Sequence, residues 1–338
     1  MATIKDIAQA ANVNTSTVSR ALSGSPKVSE ETRARILKCA EELGYQPNFL
    51  AKGLRERRTR ILGLVISSIL NPSVTGIVRG VGDAAIKRGY VFVLCDVDND
   101  AQNEKKYLDT LQSICADGIL VATANDSSDY LLRLKRSNCP IVLLVRELEE
   151  HFDVVCVDNR QSSYKAVKYL LDTGCKDIAI VNGPQNLHLY RERFQGYCNA
   201  LEEFGIARND RLIWGFSGHT GQDFYEGTLQ KLKCSPRPDA ILAASGPMGS
   251  SGPHILRAVK EMGMCVPNDI SIIGFDDLVE NAITDPPLTI VSQPFYDIGR
   301  TATDRLIDKI ENKGPSGKDL PRCATLLNTE FIVRGTTR

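Results

Sequence analysis

Residues 3–24 read TIKDIAQAANVNTSTVSRALSG, and their spacing predicts two short helices around a tight turn. Thr3 stands at an N-cap with Asp6 three residues on, and Ile4, Ile7, Ala8 and Ala11 recur at helical spacing to make one apolar face. Asn12-Val13-Asn14 breaks that period, and Asn14 is placed to cap a second helix over Thr15–Leu22. Val18, Ala21 and Leu22 turn inward, which leaves Thr15, Ser16, Thr17 and Arg20 on the exposed or N-terminal side. Ser23-Gly24-Ser25-Pro26 stops the helix. Ser29 then caps a third helix, with Glu30 and Glu31 in its positive first turn, Ile36, Leu37, Ala40 and Leu43 along it, and Gly44 at its end. Two helices joined by a tight turn, the second polar at its start, form a helix-turn-helix, whose second helix can reach base edges in the major groove. By periodicity alone, a small helical bundle with polar caps fits equally well.

Composition sets the frame around this head. The 338 residues suggest about two domains, and 42% hydrophobic with 24% charged residues describes an ordinary globular chain. The 41 Lys+Arg balance the 41 Asp+Glu, yet residues 1–60 carry 11 basic and 6 acidic residues and residues 61–338 carry 30 and 35. A basic head on an acidic body points to an anionic partner. No run approaches the ~18–20 apolar residues of a membrane span. The opening MATIKDIAQAANVN lacks a secretory signal's long apolar stretch, so a cytoplasmic protein without membrane contact is expected. The 10 cysteines stand singly, without C-x-x-C pairs or His at ligand spacing, so neither a metal nor any cofactor is expected.

From Ile61 onward, apolar runs alternate with helical stretches. ILGLVIS (61–67), YVFVLCD (90–96), GILVAT (118–123), IVLLV (141–145), VVCVD (154–158), DIAIVNG (177–183), AILAA (240–244) and ISIIGFDD (270–277) read as strands buried on both faces. Helical periods near 75–88, 102–115, 161–173, 190–204, 221–232, 254–262 and 296–311 separate them, which is a parallel α/β pattern. Ligands of such sheets bind at the carboxyl ends of strands. Enzyme signatures fail on context. Gly80-x-Gly82-x-x-Ala85 lies inside a helical period rather than directly after a strand. Gly246–Gly252 lacks a phosphate loop's Lys, and His219 stands where a nucleophile elbow needs its second glycine. A non-enzymatic protein is expected.

The run TIKDIAQAANVNTSTVSRALSG, followed by VSEETRARI and ELGYQPN, closely resembles the head of the lac/gal repressor family of bacterial transcription regulators across Thr3–Asn48. The body resembles the family's effector domain, which has the two-lobed fold of type I periplasmic binding proteins. The resemblance implies a DNA-binding head over 1–46, a hinge over 47–60 and an effector-binding and dimerisation domain over 61–338. Lobe one is expected at about 61–160 plus 293–323, and lobe two at about 161–292 plus 324–338, with the third crossover near 322–326. Thr15 and Ser16 fall on the family's main base-reading pair, Arg20 on a further groove contact, and Thr3, Asn14, Thr17 and Ser19 on phosphate or turn positions. The short hydroxyls of Thr15 and Ser16 lack the bidentate fork of Arg or Gln, so direct readout by this pair is expected to discriminate weakly. In the hinge, Asn48, Ala51 and Lys52 match DNA-contacting positions and Leu54 the minor-groove wedge. Lys52, Arg55, Arg57, Arg58 and Arg60 outweigh Glu56 there, and Gly53 weakens the helix by ~1 kcal/mol.

The resemblance further implies a homodimer on a pseudo-palindromic double-stranded DNA operator, acting as a repressor under a small-molecule effector bound between the lobes. Ser73, Val74, Arg146, Arg193, Phe216, Ser245 and Asp276 match effector positions. Sugar-binding members usually carry Asn-Asp where this chain has Ser245-Gly246, and Asp where it has Val145. Losing acceptors while keeping Arg146 and Arg193 shifts the expected ligand from a sugar toward an anionic metabolite. Two other readings stay open: a small-molecule binding protein without a DNA role, and a regulator controlled by a partner protein. Binding to DNA is expected to weaken linearly in log affinity against log salt, in proportion to the phosphates neutralised. A salt titration by fluorescence anisotropy measures the slope, and a flat profile would contradict the head's assignment.

Overall fold

The computed structural model describes residues 2–45, 58–123, 129–137, 139–148, 151–216, 220–234, 237–245, 251–312 and 321–338. The hinge residues Asn48, Ala51, Lys52 and Leu54 lie outside this set. Contacts divide the chain into two units, Met1–Thr59 and Arg60–Arg338.

The first unit holds three helices, α1 (Ile4–Ala10), α2 (Thr15–Leu22) and α3 (Glu30–Glu42). Asp6 accepts hydrogen bonds from the backbone N–H and the hydroxyl of Thr3, at 2.7 and 2.8 Å. The backbone bond is the larger of the two effects that hold its carboxyl below the ordinary range. Asn12 adopts φ +51°, a left-handed conformation Asn tolerates, so the chain turns there and the Val13 N–H reaches back to the Ala8 carbonyl at 2.9 Å. Ile7, Val18 and Ile36, one from each helix, are fully buried against one another with Ala8, Ala11, Ala21, Val28 and Ala40. Two expectations change. Asn14 occupies the α2 N-cap through its backbone, but its side chain makes no capping bond. Of the four apolar residues expected along the third helix, Ile36 and Ala40 are buried, while Leu37 and Leu43 are 48% and 41% exposed.

The second unit is built from two six-stranded sheets. Its elements run β1 (Ile61–Ile66), α4 (Ser73–Lys87), β2 (Val91–Asp96), α5 (Ala101–Ser113), β3 (Gly118–Val121), α6 (Asp129–Arg136), β4 (Ile141–Leu144) and β5 (Asp153–Val157) in the first lobe. The second lobe follows with α7 (Asn159–Asp172), β6 (Ile178–Asn182), α8 (His188–Glu203), β7 (Ile213–Gly215), α9 (Gly221–Leu232), β8 (Ala240–Ala243), α10 (Ser251–Glu261), β9 (Ser271–Phe275), α11 (Val279–Ile283) and β10 (Thr289–Ser292). The chain returns to the first lobe with α12 (Phe295–Glu311) and β11 (Ala324–Leu327), and ends in the second with β12 (Glu330–Ile332). Sheet order is β11-β5-β4-β3-β1-β2 in one lobe and β12-β10-β9-β8-β6-β7 in the other. Among these pairs only β10–β12 is antiparallel.

The central strands are apolar on both faces because helices cover both sides of each sheet. β2 is the exception. As an edge strand it leaves Val91 62% and Val93 39% exposed, against the expectation of burial on both faces. The lobe boundary also moves. Residues 324–327 pair with β5 in the first sheet, Ala324 opposite Val154 and Leu327 opposite Val157, so the third crossover is Asn328-Thr329 and not 322–326.

Gly80, from the G-x-G-x-x-A run, lies in the middle of α4 where it crosses α12. A Cβ there would stand 2.1 Å from the Tyr296 carbonyl oxygen, and one on Gly299 would stand 2.3 Å from that of Ile77. The two helices therefore meet backbone to backbone. Gly82 in the same helix would place a Cβ an ordinary 3.5 Å from Phe92. Helix propensity favours alanine at both sites by ~1 kcal/mol, but at Gly80 the clash with backbone outweighs it. Gly80→Ala is expected to destabilise the protein by about 1–3 kcal/mol, while Gly82→Ala stabilises it slightly. Urea unfolding of both variants measures the contrast, and equal effects would show that the helices do not meet this closely.

Candidate effector cleft and DNA-facing helix

The strands' carboxyl ends converge on an open cleft between the two sheets' lobes. Ser67 follows β1, Ala122 follows β3, Val145 and Arg146 follow β4, Ser245 lies just beyond β8, Asp276 follows β9 and Gln293 follows β10. Ser73 and Val74 come from the first turn of α4, and Tyr190 and Arg193 from α8. Six of the seven expected positions thus line one cavity: Ser73, Val74, Arg146, Arg193, Ser245 and Asp276.

Phe216 is not among the lining residues. Its ring packs edge-to-face on Phe224 at 5.3 Å, in space that Gly227 leaves by having no Cβ, so its assignment to the cleft is corrected to the second lobe's core. Gln293 is a lining residue that sequence reasoning passed over. Its place after an apolar strand, before Pro294, was visible only as a crossover.

Arg193 is 4% exposed. Its Nε donates to Asn159 Oδ1 at 2.8 Å and its Nη1 to the Ala244 carbonyl at 2.7 Å, while the guanidinium lies 3.9 Å over the Phe275 ring. Burial pulls its pKa down, and the negative charge of Asp276 opposes that. Asp276 shows the reverse. Burial lifts its carboxyl above the ordinary range, against the pull of Arg193 and hydrogen bonding from Gln293. Gln293 Nε2 donates to Asp276 Oδ1, and the Asp276 carbonyl accepts from Asn281 Nδ2 at 2.6 Å. The loop is held from outside by Arg334, whose Nη2 meets both oxygens of Asp277 at 2.8 and 3.0 Å.

Arg146 sits in a different setting. The Arg146 N–H bonds to the Leu144 carbonyl at 2.6 Å, and Val145 between them has φ +66°. That is a γ-turn of the strained kind, in a conformation a β-branched residue rarely adopts, and it stands in the cavity wall. Arg146 Nη1 donates to the Thr123 carbonyl at 3.0 Å. The buried Thr123 hydroxyl in turn meets both carboxylate oxygens of buried Glu104 at 3.1 and 3.0 Å.

In the head, Asn14, Thr15, Ser16 and Arg20 are exposed, Thr17 and Ser19 are half-buried, and Thr3 is exposed beside α1. Arg20 makes no ion pair among the described residues. Among those residues, too, no helix is long and apolar enough to cross a membrane, and no cluster of three or more His, Cys, Asp or Glu could hold a metal ion.

A polar-faced helix-turn-helix preceding a two-lobed α/β cleft defines a ligand-responsive DNA-binding regulator. Residues 3–48 match the family described as bacterial regulatory proteins, lacI family, and residues 59–328 match periplasmic binding proteins and sugar binding domain of LacI family. The chain belongs to the lacI family of bacterial transcriptional regulators. It is 33% identical over 341 residues to the HTH-type transcriptional repressor CytR of Escherichia coli, covering 100% of this chain and 96% of that one. It is 32% identical over 344 residues to the ribose operon repressor of Halalkalibacterium halodurans, covering 100% and 98%. Among solved structures, the CelR–cellobiose complex aligns with TM-score 0.74 at 31% identity over 99% of this chain and 100% of that chain. The lac repressor dimer bound to operator and the anti-inducer ONPF shares the fold, with TM-score 0.86 at 24% identity over 99% of each chain.

Because Asp276 is more readily protonated in the folded state than in the unfolded one, the stability it contributes is present below the ordinary carboxylate range. That contribution is lost as pH rises through its raised pKa. Asp276→Asn is therefore expected to gain stability relative to the parent as pH rises above the ordinary carboxylate range. Denaturant unfolding at matched pH gives the difference, and a gap that stays flat or narrows would mean that the carboxylate is not held in a desolvated site.

Proposed function

We propose that this protein is a cytoplasmic repressor that binds a pseudo-palindromic operator as a homodimer and releases or tightens on it when a small molecule occupies the cleft. It carries no enzymatic activity in this reading. Residues 1–46 form the DNA-reading head, 47–60 the hinge, and 61–338 the effector-binding and dimerising body. Thr15, Ser16 and Arg20 read bases, Thr3, Asn14, Thr17 and Ser19 hold phosphates or the turn, and Asn48, Ala51, Lys52 and Leu54 engage the minor groove. Ser73, Val74, Arg146, Arg193, Ser245 and Asp276, joined by Gln293, receive the effector.

The observation that carries the reading is the exposed, unpaired polar start of α2 on a chain whose head and body both match the lacI family. The dimer is supported by apolar side chains that a monomer leaves in water. Ile86, Val91 and Val93 are 74%, 62% and 39% exposed in the first lobe, and Val279 and Ile283 are 77% and 76% exposed in the second. A second copy of the chain would cover such surface.

Selection of bound duplexes from a random pool tests the whole assignment. Enrichment of a two-fold sequence with half-sites about one helical turn apart is expected. Arg20→Ala should weaken binding to the selected duplex by about 1–3 kcal/mol and relax one base position in each half-site. A pool that returns no sequence preference, or an unchanged affinity for the variant, would refute this placement of α2.

A further inference from the structure

We infer that the effector is a small hydroxylated anion whose carboxylate or phosphate group is taken by Arg146. The inference rests on the reading of the cleft as the effector site. Among the described residues that line it are two guanidinium groups, Arg146 and Arg193, and one carboxyl, Asp276. The two guanidinium groups are not equivalent. Arg193 is a strut: it is buried, two of its nitrogens are committed to Asn159 and Ala244, and its plane rests on Phe275. Asp276 stands next to it and is held by Gln293. Arg193 and Asp276 thus act on each other, and Arg193 has a carboxyl partner.

Arg146 is left over. Its side chain makes one hydrogen bond, to the Thr123 carbonyl, and no ion pair with any described carboxylate. A guanidinium has five N–H donors, so most of its fork is free while its stem is fixed by the strained turn at Val145 and by Thr123. A preorganised fork with free donors is built for a planar or tetrahedral oxyanion. Val74, Ala122 and Val145 line the same cavity, and apolar surface near a charged pair strengthens it. A neutral ligand would instead leave the charge uncompensated as the lobes close over it.

The same cavity also asks for hydroxyl groups. Gln293 is 7% exposed and its Oε1 has no hydrogen-bond partner, so an O–H on the ligand would satisfy it, with the Asp276 carboxyl next to it. Arg146 belongs to the first lobe, and Asp276 follows β9 of the second. A ligand that is anionic at one end and hydroxylated at the other therefore spans both lobes.

Isothermal titration calorimetry on the full chain at fixed ionic strength tests this, with glucuronate, a hexose monophosphate and inorganic phosphate set against glucose and ribose. At least one acid is expected to bind about 10-fold or more tightly than its neutral parent, as charge-assisted hydrogen bonds imply. The carboxylate and phosphate arms decide which anion it is. Arg146→Met should erase that preference, Arg146→Lys should keep part of it, and Val145→Asp should erase it with Arg146 intact by supplying the missing carboxylate. Tighter binding of glucose or ribose than of every acid overturns the inference and leaves the cleft as the effector site. So does an acid affinity that Arg146→Met and Val145→Asp both leave unchanged. No binding by any of the compounds would overturn the inference together with the effector reading of the cleft.

Discussion

A buried guanidinium organises the body of this protein. Arg193 sits where an unpaired charge would cost several kcal/mol, and everything around it serves to offset that cost. The Phe275 face and the charge of Asp276 come from the end of β9, the Ala244 carbonyl from beyond β8 and the Asn159 amide from the start of α7. Removing any one leaves the others badly placed, so the end of β9, the end of β8 and the start of α7 are fixed relative to α8. The second lobe's side of the cleft is thus assembled around one arginine.

The partners of this pair sit on the crossovers. Asn159, which accepts from Arg193, is the first helical residue after the chain leaves β5, and its amide also donates to the Val157 carbonyl at 3.3 Å. Gln293, which donates to Asp276, is where the chain returns to the first lobe. Ser162 joins the first crossover to the third, donating to the Asp158 carbonyl at 2.6 Å and meeting the Thr329 hydroxyl at 2.8 Å. Polar groups at the base of the cleft are thus hydrogen-bonded to residues at the joints between the lobes.

Much of this was legible in the sequence because its strongest signals are local. The eight longest apolar runs became eight strands, since a parallel strand covered on both faces must be apolar at every position. The Thr3–Asp6 spacing and the left-handed Asn12 are likewise written within a few residues. What escaped depends on distant parts of the chain. The segments ATLL at 324–327 and EFI at 330–332 are short and half-exposed, so no burial period marks them and the third crossover was placed too early. The exposed face of β2 follows from its place at the sheet edge, which its own residues do not encode. Phe216 has the chemistry of a stacking residue, but the missing Cβ of Gly227 gives its ring a seat in the core. Gln293 gains its role from Asp276, which comes from a different strand.

The linkage between cleft and joints sets how much free energy a ligand must supply. Useful regulation needs a coupling of only ~1–3 kcal/mol between two sites, which changes affinity about 5–150-fold. A single hydrogen bond gained or lost contributes about 0.5–1.5 kcal/mol, and one to a charged group about 1.5–3 kcal/mol. Re-pairing Asn159 or Gln293 when a ligand engages Arg193 or Asp276 therefore lies within the required range, without any rearrangement of the sheets. The close helix crossing at Gly80 and Gly299 keeps the first lobe stiff, and a stiff lobe moves as a body. The three crossovers join the two lobes, and Asn159 and Gln293, which hold Arg193 and Asp276, stand on two of them, so a ligand that re-pairs either residue acts at a joint between the lobes.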